Sequence, residues 1–372
     1  MPSKRHGASM VLKKILLLIT SIFVALFVFE IGLRFFERGE AASLPEEPKS
    51  AWALAPERIW TEHHPVLGWY HKKSKKAVLK KGGFEVEIRT NSHGFRGVRE
   101  YSLEKPAGVT RSLVLGDSFS FGWGVPEEEV WAAQLEAKSP HLEMINLSVP
   151  GYGLDQMLMG FRTIGKEWGV DYVFTTVFPE DFWRSTRSFA DTGHAKPYFG
   201  LSEKKELILH NVPVPPPGTL RTNQFPQLIE QGSLERLLMK SVAYRKLKKP
   251  LFKLASNLGW VDPDLTEEWT IGQAILSELF REIREAGARP IFVIVPSETW
   301  ARERRVDTLR KSMLRLGKRE GVDTLDLTPS FQAAIEKSSP SEYYFAEDHH
   351  WTSQGHALTA EVIRRYLENK VS

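Results

Sequence analysis

Downstream of Arg111 the chain alternates between short unbroken apolar runs and longer stretches whose apolar residues recur every three or four positions. The runs Ser112–Leu115, Leu142–Leu147, Tyr172–Phe178, Pro290–Val295 and Val322–Leu327 predict strands. The periodic stretches Glu127–Ala137, Asp155–Trp168, Thr266–Ala286, Arg305–Glu320 and Gln354–Glu368 predict amphipathic helices. Strands that read as continuous apolar runs are covered on both faces, the mark of a parallel sheet. Right-handed crossovers then place helices on either side. The pattern predicts a doubly wound α/β domain on a five-stranded parallel sheet.

Upstream, the pattern changes. Residues 37–70 are rich in Pro, Glu and Ala and read as a linker, with Trp52, Trp60 and Trp69 as anchors. Lys72, Lys73, Lys75, Lys76, Lys80 and Lys81 precede Gly82-Gly83 and the alternating Phe84-Glu85-Val86-Glu87-Ile88, which predicts a hairpin strand. The lysines make either a solvated face or a contact with anionic glycan or lipid head groups. Residues 183–262 are too long for one crossover and form an insertion between the third and fourth strands. Within it, Val212–Gly218 is proline-rich and reads as a stiff spacer. A basic helix is expected near Leu234–Ala255. The insertion is placed to act as a lid over the sheet edge.

The first residues bear on location. Lys4, Arg5, Lys13 and Lys14 precede Ile15–Phe29, apolar except for Thr20 and Ser21, and Ile31–Leu33 extends the run past Glu30. A spanning helix needs about 20 apolar residues, and the basic flank sets the N-terminus in the cytoplasm. Residues 1–36 therefore read as cytoplasmic tail and signal-anchor helix, 37–105 as linker and β elaboration, and 106–372 as the catalytic-type domain. A cleavable signal peptide shares this flank and apolar stretch. The expected location is a membrane crossed once, with the domain outside the cytoplasm. Composition adds exclusions. There is no cysteine, which removes thiolate catalysis and thiolate metal sites. A formal charge of +4 on 372 residues does not suit a dedicated nucleic-acid binder.

Leu113–Leu115 stops at Gly116-Asp117-Ser118, where glycine permits a sharp turn and leaves a serine at the strand's C-terminal edge. That edge is where open α/β sheets bind ligands. An unassisted serine hydroxyl is a poor nucleophile and needs a base. Glu347-Asp348-His349-His350-Trp351-Thr352 offers an imidazole and carboxylates. Asp117 and Asp181 read as residues tying down their own turns. His194, Asp191 and His210 lack metal-ligand spacing and read as surface polar residues, so no metal is expected.

Four blocks follow the strands in order: Gly116-Asp117-Ser118; Asn146-Leu147-Ser148-Val149-Pro150-Gly151-Tyr152-Gly153; Phe178-Pro179-Glu180-Asp181; and Asp348-His349-His350-Trp351 with Gly355-His356. This arrangement resembles the SGNH/GDSL hydrolases, and more narrowly their membrane-anchored bacterial branch. The resemblance takes in Asn91–Gly97 and the Glu30–Arg34 end of the apolar segment. It implies a flavodoxin-like sheet of SGNH type, Ser118 as nucleophile, His350 as base and Asp348 as its orienter, with Glu347 as the alternative orienter. His349 is then a solvent-facing or structural neighbour, and a hydroxyl at Thr352 or Ser353 caps the following helix. No cofactor is implied.

The resemblance also implies an oxyanion hole built from the backbone N–H groups of Ser118 and Gly151 and an asparagine side chain. The chain departs from it there, because Glu180 stands where the asparagine belongs. An ionised carboxylate cannot donate and repels the forming negative charge. Either burial keeps Glu180 protonated, or the insertion supplies another donor such as Trp183 or Arg184, or the activity is slow, altered or lost. The expectation is a membrane-tethered serine esterase that cleaves or transfers acyl groups, O-acetyl foremost, on glycans or envelope polymers. A small ester is also an acceptable substrate, and no nucleic-acid partner is expected. The alternative is a catalytically impaired glycan-binding or polysaccharide-assembly protein on the same scaffold.

Overall fold

A computed structural model describes residues 56–217 and 266–371, apart from residues 82, 191–193 and 304–307. The expected membrane span, the basic helix near 234–255 and Asp191 lie outside the described residues. Among the described residues, no helix is long and apolar enough to cross a membrane.

Two antiparallel hairpins come first. One pairs β1 (Thr61–His64) with β2 (Gly68–His71), the other β3 (Lys76–Lys81) with β4 (Phe84–Arg89). Next come β5 (Thr110–Leu115), α1 (Ser118–Phe121), α2 (Trp131–Lys138), β6 (Leu142–Asn146), α3 (Leu154–Thr163), β7 (Tyr172–Val177) and α4 (Pro179–Arg184). A third hairpin, β8 (Tyr198–Leu201) and β9 (Leu207–His210), belongs to the insertion. The chain continues through α5 (Glu267–Glu285), β10 (Arg289–Ile294), α6 (Glu298–Arg302), α7 (Thr308–Glu320), β11 (Asp323–Asp326), α8 (Thr328–Ile335), α9 (Pro340–Tyr343) and α10 (Ser353–Val371).

The five strands β5, β6, β7, β10 and β11 form one parallel sheet in the order β11-β10-β7-β5-β6. The continuous apolar runs reflect two covered faces. Leu113, Leu115, Val173, Val177, Phe292 and Ile294 point into one core with α3, α5 and α7. Their alternates Val114, Phe174, Ile291 and Val293 meet α2, α8 and α10 on the other side. The chain leaves β5 for β6 and then returns across to β7. The strand order therefore reverses between β5 and β7, and the C-terminal ends of strands at such a reversal are where open α/β sheets bind ligands.

Several boundaries differ from the sequence pattern for local reasons. The stretch expected as one helix over Glu127–Ala137 is a 3₁₀ turn at Glu127–Glu129 and then α2. Trp131, fully buried, anchors that restart, its backbone N–H donating to His356 Nδ1 at 3.4 Å. The helix expected to reach Trp168 stops at Thr163. Gly165 passes so close to the sheet that a Cβ there lies 2.7 Å from Leu113 Cδ2.

The 37–70 stretch is not linker throughout. Trp60 and Trp69 are buried, and β1–β2 packs on the domain. Nor is the proline run a free spacer. Val214 is buried, its N–H donates to Pro65 O at 2.6 Å, and its carbonyl lies 2.9 Å from His63 Nε2. Much of the lysine run is paired within the fold. Lys76 meets Glu87 at 2.6 Å, Lys80 meets Glu85 at 2.9 Å, and Lys72 donates to Arg58 O at 3.0 Å. Exposed pairs of this kind add little stability.

Candidate active site

The turn after β5 is built around absent side-chain volume. A Cβ on Gly116 lies 2.0 Å from Thr176 Oγ1 of β7, so only glycine lets the chain pass. Thr176 in turn donates to Leu115 O at 2.9 Å and accepts from Ser120 Oγ at 2.7 Å. From β6, Asn146 Nδ2 donates to Ser120 O at 2.7 Å. Both neighbouring strands thus pin α1. Asp117 caps that short helix by accepting from Phe119 N at 3.0 Å, and Ser118 is its first residue. The Ser118 N–H, at the helix start, has no partner within the helix.

His350 sits on the loop between α9 and α10. Tyr344 and Trp351 form an antiparallel bridge, and Phe345 N donates to His350 O at 2.8 Å, which closes the loop on itself. Thr352 Oγ1 accepts from Gly355 N at 3.4 Å and caps α10. The imidazole lies against Phe119, ring centroids 4.9 Å apart. Its Nε2 is 2.8 Å from Ser118 Oγ, placed to accept from the hydroxyl. Its Nδ1 faces Asp348 Oδ1 at 3.4 Å, a long contact. Asp348 Oδ1 also accepts from His350 N at 3.2 Å, and Oδ2 accepts from Trp123 Nε1 at 3.0 Å. Burial alone raises the Asp348 carboxyl, but His350 and the N–H donors outweigh it and hold it below its ordinary value.

Glu347 is exposed, and the carboxylate behind the ring is that of Asp348. His349 adopts φ +61 and turns its exposed ring to Glu298, Nδ1 to Oε2 2.6 Å. His356 is buried under α2, and burial pushes it down to about 3, so it is a neutral packing residue.

On the opposite rim, Gly151 adopts φ +79, a conformation open to glycine and costly for other residues. Trp69 Nε1 donates to Pro150 O at 3.3 Å and fixes this loop against β2. Glu180 does not behave as an oxyanion donor kept neutral by burial. It lies in the first turn of α4 with its side chain 64% exposed, and its Oε2 is 3.4 Å from Arg184 Nη2. Arg184 Nη1 is committed to two buried carboxylates, Asp117 Oδ2 at 2.9 Å and Asp181 Oδ1 at 2.7 Å. Burial, with Asp117 beside it, pushes the Asp181 carboxyl well above its ordinary range against the pull of Arg184. Both aspartates do serve their own turns, Asp181 accepting from Phe178 N at 2.8 Å. Their shared guanidinium was not readable from spacing. A cavity of about 170 Å³ adjoins this rim, lined by Trp69, Gly151, Trp183, Arg184, His194 and Lys196 among others. His194 is buried in it, with its ring 5.0 Å from that of Trp69, and is not a surface residue. Among the described residues no group of three or more His, Asp or Glu side chains is placed to hold a metal ion.

Residues 267–372 match the model of the SGNH hydrolase-like domain of the acetyltransferase AlgX. That stretch carries Asp348 and His350, which meet a Gly-Asp-Ser serine at the sheet's switch point. That match supports assigning residues 267–372 to the SGNH hydrolase-like domains. Among solved structures, the chain is similar to the acetylxylan esterase Axe2 from Geobacillus stearothermophilus. Identity is 14%, over 69% of this chain and 93% of that one, with a TM-score of 0.38. A member of the lipolytic G-D-S-L family from Veillonella parvula is 12% identical over 69% of this chain and 97% of its own, TM-score 0.39. LAE5, an alpha/beta hydrolase from the Lake Arreo metagenome, is 15% identical over 69% and 94%, TM-score 0.39. Comparison with curated proteins gives no match.

The segment Asn91–Gly97 is a brace and stands apart from the Ser118–His350 pair. Asn91 Oδ1 accepts from the His93 and Phe95 N–H groups at 3.0 Å each. The buried Arg96 guanidinium reaches Val125 O at 3.3 Å and lies over Phe121, 5.1 Å from its centroid. Sequence reasoning missed Trp123, whose available signal was its place between Gly122 and Gly124.

Proposed function

We propose that this protein is a serine esterase or acyltransferase that acts outside the cytoplasm on O-acyl groups, acetyl foremost, carried by glycans or envelope polymers. One contact carries the assignment: Ser118 Oγ stands 2.8 Å from His350 Nε2, within the reach proton transfer needs. Ser118 Oγ attacks the acyl carbon and its proton passes to His350 Nε2. The imidazolium is stabilised by Asp348 and returns that proton to the departing alcohol oxygen, leaving an acyl-serine. Water, or a sugar hydroxyl, then attacks the acyl carbon and gives its proton to His350, and Ser118 recovers it as the acyl group leaves. The Ser118 and Gly151 N–H groups face the oxyanion. The charge of Arg184, on the same rim as Gly151, supports the site that Glu180 leaves short of a donor.

A tether is part of the proposal. The basic flank at Lys4, Arg5, Lys13 and Lys14 and the apolar run 15–33 support a signal-anchor with the domain on the far side. The bound acyl groups are then those of the cell envelope.

The test is labelling of the full-length chain with a fluorophosphonate, followed by a screen against acetylated sugars and p-nitrophenyl esters. Labelling and hydrolysis are expected in wild type and absent in Ser118→Ala. The exposed carboxylate at position 180 favours one second reading, a glycan-binding protein with impaired catalysis. Retained glycan binding without any labelling is the result that selects it.

A further inference from the structure

The Gly122-Trp123-Gly124 segment joins the two halves of the site. Trp123 N donates to Ser118 O at 3.1 Å, while Trp123 Nε1 donates to Asp348 Oδ2 at 3.0 Å. One residue therefore touches both the nucleophile's backbone and the carboxylate 225 positions away. Its orientation is over-determined. Gly122 and Gly124 adopt φ +86 and +85, where side chains are strained. A Cβ on Gly122 lies 2.3 Å from Val130 Cγ2, and one on Gly124 lies 2.8 Å from Phe345 Cε2. The indole is 3% exposed, packed with Trp60 at 6.2 Å and with the His350 ring at 5.8 Å between centroids. Leu79, Val86 and Ile88 of the β3–β4 hairpin complete its cluster. Lys81 from β3 holds its ammonium 5.2 Å above the indole, drawing electron density from the ring and sharpening the N–H as a donor.

On the catalytic reading given above, we propose that Trp123 is a positioning residue: its indole N–H fixes the Asp348 carboxylate so that Oδ1 stays behind the imidazole. The ring contact is long, at 3.4 Å, and the His350 N–H also reaches Oδ1, at 3.2 Å, so Trp123 is what holds the second oxygen, Oδ2, in place. The β3–β4 hairpin, outside the sheet, thereby becomes part of what aligns the base. The titratable groups around Asp348 are His350 beside it and Lys81 across the indole; His349 is turned away to Glu298.

The experiment measures kcat/KM for p-nitrophenyl acetate against pH, together with thermal unfolding, in wild type, Trp123→Phe and Trp60→Phe. Trp60 packs in the same cluster, but its Nε1 has no hydrogen-bond partner among the described residues, so Trp60→Phe loses packing alone. Trp123→Phe is expected to lower kcat/KM by roughly tenfold or more, the loss of a hydrogen bond to a charged group. Its acid limb is expected to move, since the carboxylate that stabilises the protonated base loses the donor that fixes its charged form in place. In Trp60→Phe the acid limb stays in place. An unmoved limb in Trp123→Phe, or an equal movement in both variants, overturns the inference. Should Trp123→Phe fail to fold, 3-benzothienylalanine at position 123 keeps the shape and removes only the N–H, with the same outcomes. Wild-type protein lacking Ser118-dependent hydrolysis overturns the catalytic reading instead, and the inference with it.

Discussion

Replacing Arg184 by methionine tests whether the guanidinium is the keystone between Asp117 and Asp181. The side chain is 21% exposed, but the two carboxylates it serves are only 1% and 0% exposed. Removing one partner of a buried ion pair costs about 3–5 kcal/mol. With partial solvent access to the guanidinium, the lower end, about 3 kcal/mol, applies. At about 2–4 °C per kcal/mol for a domain of this size, the melting temperature at pH 8 falls by roughly 6–12 °C.

The pH dependence gives the stricter test. Asp181 already has a folded pKa above its ordinary value, so its contribution to stability is full below the unfolded pKa and lost as pH rises through the folded one. Without Arg184 that folded value climbs further. The gap between wild type and Arg184→Met is therefore small near pH 4, where an unfolded aspartate takes up its proton, and widens toward pH 8. Thermal unfolding followed by circular dichroism from pH 4.5 to 8 reads it directly. A gap of constant size across that range refutes the reasoning, because it leaves lost packing as the whole effect.

Two other perturbations probe the rim. Gly151→Ala forces a side chain into φ +79 with Trp69 Cζ2 3.6 Å from the new Cβ; strain of about 1–2 kcal/mol tilts the N–H, and esterase kcat falls more than the melting temperature indicates. Glu180→Asn removes an exposed charge and restores a neutral donor. The expected result is a rise in esterase kcat, bounded by the factor on the order of 10²–10³ that one oxyanion donor is worth, and a fall instead assigns Glu180 a role of its own.

What the sequence disclosed, and what it did not, follows from the range of the interactions. The five sheet strands match their apolar runs to within two residues at each end, because burial on both faces demands unbroken hydrophobicity. Ser118 was legible because a Gly-Asp-Ser turn is local chemistry, and His350 because its segment is dense in titratable residues. Trp123 escaped notice, and Arg184 was read only as a possible oxyanion donor and not as the partner of Asp117 and Asp181, because each acts through partners distant in sequence or buried for reasons that no spacing reveals. The same holds for Val214 and His194, polar-looking or proline-bound positions that β1 and β2 cover. Glu180 was visible as an anomaly, yet only its exposure shows that protonation by burial is not its explanation.

The contact between Ser118 and His350 spans 232 positions, and the C-terminal helix that follows closes one face of the sheet. A chain still emerging from the ribosome can thus complete its nucleophile turn well before it possesses a base. On the proposed reading, hydrolytic competence waits for the segment that carries His350 and is a late event in maturation. Truncation before His350 leaves Ser118 without the imidazole that the proposed mechanism needs, so on that reading activity doubles as a readout of completed docking.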